Sequence, residues 1–540
     1  MAKPSEKLAK SLEALHSIQE QGIVAIRSQD LTRAHRERLL QNGFLQEVIK
    51  GWSIPARPDE TIGESTAWYA SYWQFCATYL QQRFGMDWCL SPEQSLSLHA
   101  ENWTVPGQLL VRSPKGHNNV TGLPHDISLL DVQGTIPDKK EIEDKNGLRL
   151  YSLPAALIAC APGHFRQNAT DIRAALSMVR DASEVLDQLL EGGHSTIAGR
   201  LAGAFRNIGR DRIADNIIDT MRAAGYDIRE SDPFETQIPL ILHARSESPY
   251  VNRIRLMWQE MREPIISRFP AAPGLPTDTK AYLKRVEDVY LTDAYHSLSI
   301  EGYRVSPELI ERVRSGSWNP DEDENDREHR NALAARGYWQ AYQAVRKSID
   351  KALGGDNPGT IVDDDHRTWY REMFAPGVTA GLLRPADLAG YRNGPVFIRR
   401  SMHVPPSREA VRDAMPAFFD LLREETEPAV RVVLGQFIFV YIHPYMDGNG
   451  RMGRFLMNVM LAGGGYPWAV VPVEERDNYM AALEEASVCQ NIIPFTDFLA
   501  PIIDANLKER PGAAAGVFAT DYSKVRIIRS PPPNSASDEW

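Results

Sequence analysis

The sequence predicts a mainly α protein with a smaller α+β region at its front. Three observations carry that expectation. Apolar residues recur at three- and four-residue spacing through most of the chain beyond about residue 249. Strand-like stretches with turn residues gather in the first part and reappear once, at Tyr391–His403. The 540 residues, 43% hydrophobic and 24% charged, have ordinary globular composition and suffice for more than one core.

Taken in order, Leu31–Gln41 and Phe44–Ile49 read as two short helices. Gly51–Pro55 then reads as a strand leaving a turn, so residues 1–60 are expected to form a winged-helix-like unit. Leu96–Val111 and Leu148–Ile158 read as strands and loops, and Ala169–Leu190 and Thr196–Ala224 as helices. Together they give an α+β to helical region over 61–245. Residues 246–509 carry the helical pattern, with helices expected at Tyr282–Tyr295, Asn331–Leu353, Ser407–Glu424, Gly453–Leu461 and Glu475–Val488. Val430–Ile442 has strand-like composition, but its length favours a fully buried helix.

Three prolines and a glycine in Phe269–Thr279 predict a linker or long connection. Asn319–Glu328 holds six acids and one Arg, self-repels, and predicts an exposed loop. Tyr391–His403 reads as a short hairpin. Pro, Ser and Gly dominate residues 510–540, which predicts a loosely held tail.

Lys plus Arg is 60 against 71 Asp plus Glu, a net charge of −11. That balance argues against a chain-wide grip on nucleic acid, which needs excess positive charge, but leaves room for a local basic patch. No apolar stretch approaches the roughly 20 residues that span a bilayer, so no membrane partner is expected. The four cysteines, Cys76, Cys89, Cys160 and Cys489, form no CxxC pair, and the polar N-terminus lacks the apolar core of a signal peptide. A reducing cytoplasm is the expected location.

The chemistry concentrates in His443–Arg454, HPYMDGNGRMGR. An apolar helix delivers His443, and Pro444 ends it. Asp447 is a hard carboxylate suited to Mg²⁺. Gly448-Asn449-Gly450 lets backbone N–H groups close around an anion where the next helix presents its positive end. Arg451 and Arg454, three residues apart, share a helix face and can clamp phosphate, with Gly453 between them allowing close packing. Alone, a His after an apolar helix is usually a boundary residue, a DGNG usually a turn, and an Arg pair usually a solvated face. Nine fixed positions together have a chance frequency on the order of 10⁻¹² per window, which favours chemistry.

This motif resembles that of the Fic family, the filamentation-induced-by-cAMP proteins, matching HPxxDGNGRxGR at all nine positions; Tyr445 stands where Phe is more common. The resemblance covers about residues 250–505. It implies an all-helical core with a short β-hairpin flap, and transfer of AMP from ATP to a protein hydroxyl. His443 is then the general base on a target Ser, Thr or Tyr, and Asp447 the Mg²⁺ ligand. Gly448, Asn449, Gly450, Arg451, Gly453 and Arg454 are the phosphate-binding set, with Arg454 reaching the γ-phosphate. Val396, Phe397, Ile398 and Arg399 occupy the place of the flap that holds the target by strand addition. Tyr479, Leu483 and Asn491 stand near the family's nucleoside contacts, although helix packing explains them equally well.

Ser297-Leu298-Ser299-Ile300-Glu301-Gly302 resembles the family's inhibitory motif. Ser297 and Glu301 are four apart on one helix face, and Gly302 suits the helix C-terminus. The resemblance implies that Glu301 pairs with Arg454 and keeps it from the γ-phosphate. Two unit charges roughly 4 Å apart attract by about 4 kcal/mol at an effective dielectric of about 20, enough after desolvation to suppress activity strongly.

In the front half, Leu31–Pro58 and Ser91–His99 resemble antitoxins of the AbiEi type, transcriptional regulators with a winged-helix DNA-binding unit. Arg33, Arg36 and Arg38 could meet phosphates from one helix, yet residues 1–60 hold nine Lys or Arg against eight acids. DNA is therefore one expected partner class, and a purely helical docking module the competing one. The sequence supports an autoinhibited protein adenylyltransferase first. A DNA-binding regulator with a nucleotide-sensing Fic module comes second, and a Fic enzyme that uses another donor or removes AMP is a variant. Dimerisation is common in the family, but no residue here points to an interface.

Overall fold

A computed structural model describes residues 4–58, 65–234, 248–318 and 329–508. The acidic stretch 319–328, the whole of the expected tail 510–540 and the boundary near 245 lie outside the described residues. Helices dominate the described residues, whose three small sheets all lie within the first 151 positions.

The front begins with helix Pro4–Glu20, strand Ile26–Arg27 and helix Arg33–Gln41, which Thr32 caps by accepting from the His35 amide. The segment expected as a second helix is a strand. Leu45–Ile49 pairs antiparallel with Trp52–Pro55, which pairs on its other side with Ile26–Arg27. The turn at Lys50-Gly51, with Gly51 at φ +89°, reverses the chain. A register irregularity between Glu47 and Ile49 breaks the alternation that would have marked a strand.

The aromatic helix Thr66–Phe84 packs on a four-stranded sheet formed by Cys89–Leu90, Gln108–Ser113, Ser128–Gln133 and Asn119–Gly122, in that spatial order. Two expected boundaries move here. Pro92–His99 is a helix, capped by Ser91 with proline at its first position. Strand Leu148–Tyr151 ends where Ser152-Leu153-Pro154 starts a helix through Ala159. Helices Ala169–Met178, Ser183–Glu191, Ser195–Asn207 and Asp211–Ala223 then form a separate apolar cluster.

From Pro249 onward, ten helices share one continuous apolar core among the described residues. Pro428–Ile442, the ambiguous segment, is a helix with nearly every residue buried. Helix Asn449–Gly464 crosses it closely: a Cβ on Gly453 would come within 2.9 Å of Val440 Cγ2, and one on Gly435 within 2.9 Å of Leu456 Cδ2. Glycine there allows the two backbones to approach. The Pro-rich stretch after Phe269 does break the helices, and it lies against the far end of Asn449–Gly464, where the Gly274 amide donates to Gly464 O at 3.2 Å.

Front and core are joined by buried polar contacts. Arg253 Nε donates to Asp171 at 2.9 Å with both side chains 1% exposed, and Arg173 meets Glu260 at 2.6 Å. The Val105 amide donates to Met402 O at 2.9 Å.

Candidate active site

His443 ends helix Pro428–Ile442 in a left-handed conformation, φ 53°, ψ 59°, with its amide still bonded to Phe439 O. Such a conformation costs a non-glycine residue on the order of 1 kcal/mol or more and persists only where neighbours hold it. Arg392 does so. Its amide donates to Pro444 O at 2.9 Å and its Nε to His443 O at 2.8 Å, while Nη1 and Nη2 donate to Gly394 O and Pro406 O. Burial pushes this guanidinium's pKa down to about 10.

His443 Nδ1 lies 3.0 Å from Val440 O. A carbonyl only accepts, so Nδ1 carries the proton and Nε2 keeps its lone pair. Burial, aided by the Arg392 charge and opposed by the Val440 bond, lowers the His443 pKa to about 4. The ring is therefore neutral at pH 7, a state in which it can accept a proton.

The loop after it is closed by Asn449. The Asn449 Oδ1 accepts from the Tyr445 amide at 2.9 Å and its Nδ2 donates to Tyr445 O at 2.8 Å. The Tyr445 ring stacks on Tyr370 with centroids 3.8 Å apart. The Asn449 side chain is thus spent on shaping the loop, and what it leaves to meet an anion is its backbone. Gly448 stands at φ +83° before the helix, and no side chain caps that helix start, so its first N–H groups are available. Asp447 lies beside them, its side chain 65% exposed, with Oδ2 3.4 Å from Arg451 Nη2.

The two motif arginines are both buried but held differently. Arg451 lies between the rings of Tyr303 and Phe374, each centroid 5.2 Å from its guanidinium carbon. Arg454 points to the Thr279–Ile300 helix. Its Nε donates to Ser297 Oγ at 2.9 Å, and its Nη2 to Ser297 O at 3.0 Å and to Glu301 Oε1 at 2.7 Å. Burial opposes the Arg454 charge, yet the Glu301 carboxylate raises its pKa overall. Burial likewise works against the Glu301 charge, but Arg454 and Arg451 hold that carboxyl below its ordinary range.

The placement of Glu301 decides what this pair does. A Cβ on Gly450 would fall 2.4 Å from Glu301 Oε1 and 3.3 Å from Arg454 Nη1. The carboxylate therefore lies against the first turn of helix Asn449–Gly464, where the helix presents amides and its positive end. Glu301 closes its own helix as C-cap, and Gly302 at φ +85° turns the chain away.

The remaining expected residues divide. Tyr479 is 1% exposed and accepts from Gln436 Nε2 at 2.6 Å; Leu483 is buried; Asn491 caps the last helix by accepting from the Ile493 amide. All three are engaged in packing or capping. The flap contains no paired strands, which corrects the expected hairpin. Val396, Phe397 and Ile398 run as coil, because Pro395 lacks an N–H and Arg392 has taken Gly394 O, and Arg399 begins a turn. Glu484 anchors the far end by accepting from Ser401 Oγ and, at 2.8 Å, from the Met402 amide. Arg392, Tyr303, Phe374 and Glu484 escaped the sequence reading. Only Tyr303 carried a signal, since it directly follows the SLSIEG motif.

Among the described residues no helix is long and apolar enough to cross a membrane, and no three His, Cys, Asp or Glu side chains gather to hold a metal.

Residues 364–461 match the Fic/DOC family. The chain is 27% identical over 284 residues to a protein adenylyltransferase Fic of Nematostella vectensis, covering 51% of this chain and 61% of that one. It is 26% identical over 238 residues to protein adenylyltransferase fic-1 of Caenorhabditis elegans, covering 43% of each. The chain thus matches about half the length of these curated relatives. A solved structure of C. elegans Fic-1, residues 134–508, aligns with 18% identity over 63% of this chain and 86% of that one, at a TM-score of 0.35.

Proposed function

We propose that this chain, which carries a Fic domain over residues 364–461, is an autoinhibited protein adenylyltransferase. The observation that carries the reading is the Glu301 carboxylate, seated on Gly450 and paired with Arg454 at the start of the motif helix. A carboxylate there stands where the γ-phosphate of ATP would need both the helix end and the arginine.

In the active state the backbone of 448–450 and Arg454 hold the triphosphate. His443 Nε2 takes the proton of a target Ser, Thr or Tyr hydroxyl. That oxygen bonds to the α-phosphorus of ATP, the bond from this phosphorus to the bridging oxygen of the β-phosphate breaks, and pyrophosphate leaves. The work is positioning and charge stabilisation, as phosphoryl-type transfers require. Asp447 fits a Mg²⁺ that arrives with the nucleotide: one exposed carboxylate beside a phosphate site is the usual protein share of such a site. The metal would neutralise charge on the pyrophosphate. Arg392 keeps His443 in place, and Arg451, wedged between two rings, steadies Asp447.

Labelling with radiolabelled ATP tests the reading. Glu301→Gly is expected to incorporate AMP well above wild type, with about 329 Da gained per AMP by intact mass. Equal, low labelling of both would sink it. The front half favours no second function. Arg36 bonds Ser28, Arg38 bonds Lys7 O and Ser11, and Arg33 pairs with Glu37. These arginines serve their own module, which weighs against a DNA-reading helix.

A further inference from the structure

Beside Asp447 lies a cavity of about 1130 Å³ whose lining, apart from Arg392 and Asp447, has no role above. Its walls come from Asp363–Phe374 of helix Pro358–Thr379, from residues 383–394, from helix Arg408–Glu424 and from Met446-Asp447. Five arginines line it against three aspartates.

The ion pairs show which positive charge is already matched. Arg384 pairs with Asp387 at 2.8 Å, Arg423 with Asp363 at 2.7 Å and also with Asp420, and Asp447 leans on Arg451 outside the cavity. Three arginines have no carboxylate partner among the described residues. Arg392 bonds carbonyls alone. Arg412 bonds Asn393 Oδ1 at 2.6 Å and Arg408 O at 2.7 Å. Arg367 lies over the Tyr391 ring at 5.4 Å. The cavity therefore keeps a net positive charge.

At about 1130 Å³ the cavity stands at the upper end of the roughly 300–1,000 Å³ of small-molecule pockets and has room for a short length of polypeptide. Its rim carries Met446, one of the most exposed large apolar side chains among the described residues (59%). One wall continues into the extended coil 395–398, whose backbone can pair with an extended chain.

We propose that this cavity binds an acidic segment of the protein target, flanking the hydroxyl presented to His443. The proposal rests on the adenylyltransferase reading and supplies its substrate class. Carboxylates of the target would meet Arg367 and Arg412, while Met446 takes an apolar neighbour.

Fluorescence anisotropy on the full chain without ATP tests it, because binding is then read apart from AMP transfer. The probes are a labelled serine peptide flanked by aspartates and the same peptide with asparagines. The acidic peptide is expected to bind on the order of tenfold tighter, with an advantage that shrinks as salt rises. Arg367→Glu with Arg412→Glu should erase the advantage, and the two single reversals should each remove part of it. Arg367→Lys with Arg412→Lys should keep most of it. Equal affinity for the two peptides overturns the proposal, as does a folded double reversal that still prefers the acidic one. Complete displacement by millimolar inorganic phosphate also overturns it, since that marks a small-anion site. Binding that behaves as expected in a chain that never transfers AMP would leave this proposal standing and remove the catalytic one.

Discussion

Arginines on two short helices show how little a charge pattern says until its partners are known. On Arg33–Gln41, Arg36 and Arg38 reach neutral oxygens of their own module, Ser28 Oγ, Lys7 O and Ser11 Oγ. On Asn449–Gly464, Arg451 and Arg454 are buried, and the one carboxylate in close contact with Arg454 is Glu301, at the end of a different helix. The first set is consumed by local structure. In the second, Arg454 is held by a partner whose removal leaves a buried positive site at a helix start. A buried guanidinium that loses its carboxylate demands another anion, whereas a partly exposed one bonded to hydroxyls demands nothing.

Removing the base should give the largest effect. In the Glu301→Gly background, His443→Ala is expected to lower the AMP-transfer rate by about 10²–10⁴-fold, the usual contribution of a general base. ATP affinity should change little, because the phosphate grip remains; equilibrium binding of a fluorescent ATP analogue checks that half. Next comes Glu301→Gly itself. A net stabilisation of the Glu301–Arg454 contact by about 3 kcal/mol predicts a rise on the order of a hundredfold in labelling rate. A rise below twofold would mean that the contact shapes the helix end without restraining Arg454.

The pH dependence separates the two histidine states. With its pKa lowered to about 4, His443 stays neutral from pH 8 to pH 6. The kcat/KM of Glu301→Gly should then fall less than twofold over that range. An ordinary histidine at about 6.5 would lose roughly fourfold by pH 6. The same lowered pKa means that the unfolded chain binds this proton first, so the group destabilises the fold as pH falls from about 6.5 towards 4.

The motif was legible because its chemistry is contiguous. Histidine, carboxylate, glycines and arginines stand in twelve residues, and helix spacing alone puts Ser297 and Glu301 on the face that meets Arg454. What surrounds them was not legible. Arg392 lies 51 residues before His443 and reaches it through tertiary packing, with no spacing rule to announce it. Asn449 was expected as a ligand from its place in the motif, yet its side-chain amide matches the backbone of Tyr445 and closes there. The expected hairpin failed at Pro395, and the Phe44–Ile49 helix failed because a bulge hid a strand's alternation. Both errors come from local propensity meeting a backbone hydrogen-bond requirement that only the neighbouring chain settles.

The smallest expected effect tests the other side of the comparison. Arg36→Ala with Arg38→Ala should lower stability by about 1 kcal/mol per lost bond, read as a fall in thermal midpoint, and leave AMP transfer by Glu301→Gly unchanged. These arginines hold helix Arg33–Gln41 to helix Pro4–Glu20 and to Ser28, so their loss should loosen that corner alone. A mobility-shift titration at low salt with DNA from the protein's own promoter completes the test. If wild type shifts the DNA and the double variant does not, with its fold intact, then Arg36 and Arg38 face a second partner as well as their own module. The contrast between the two helices would then be one of occupancy, with both sets of arginines waiting for phosphate. If neither protein shifts the DNA, the front arginines are structural, and an anion site remains the property of the helix that Glu301 covers.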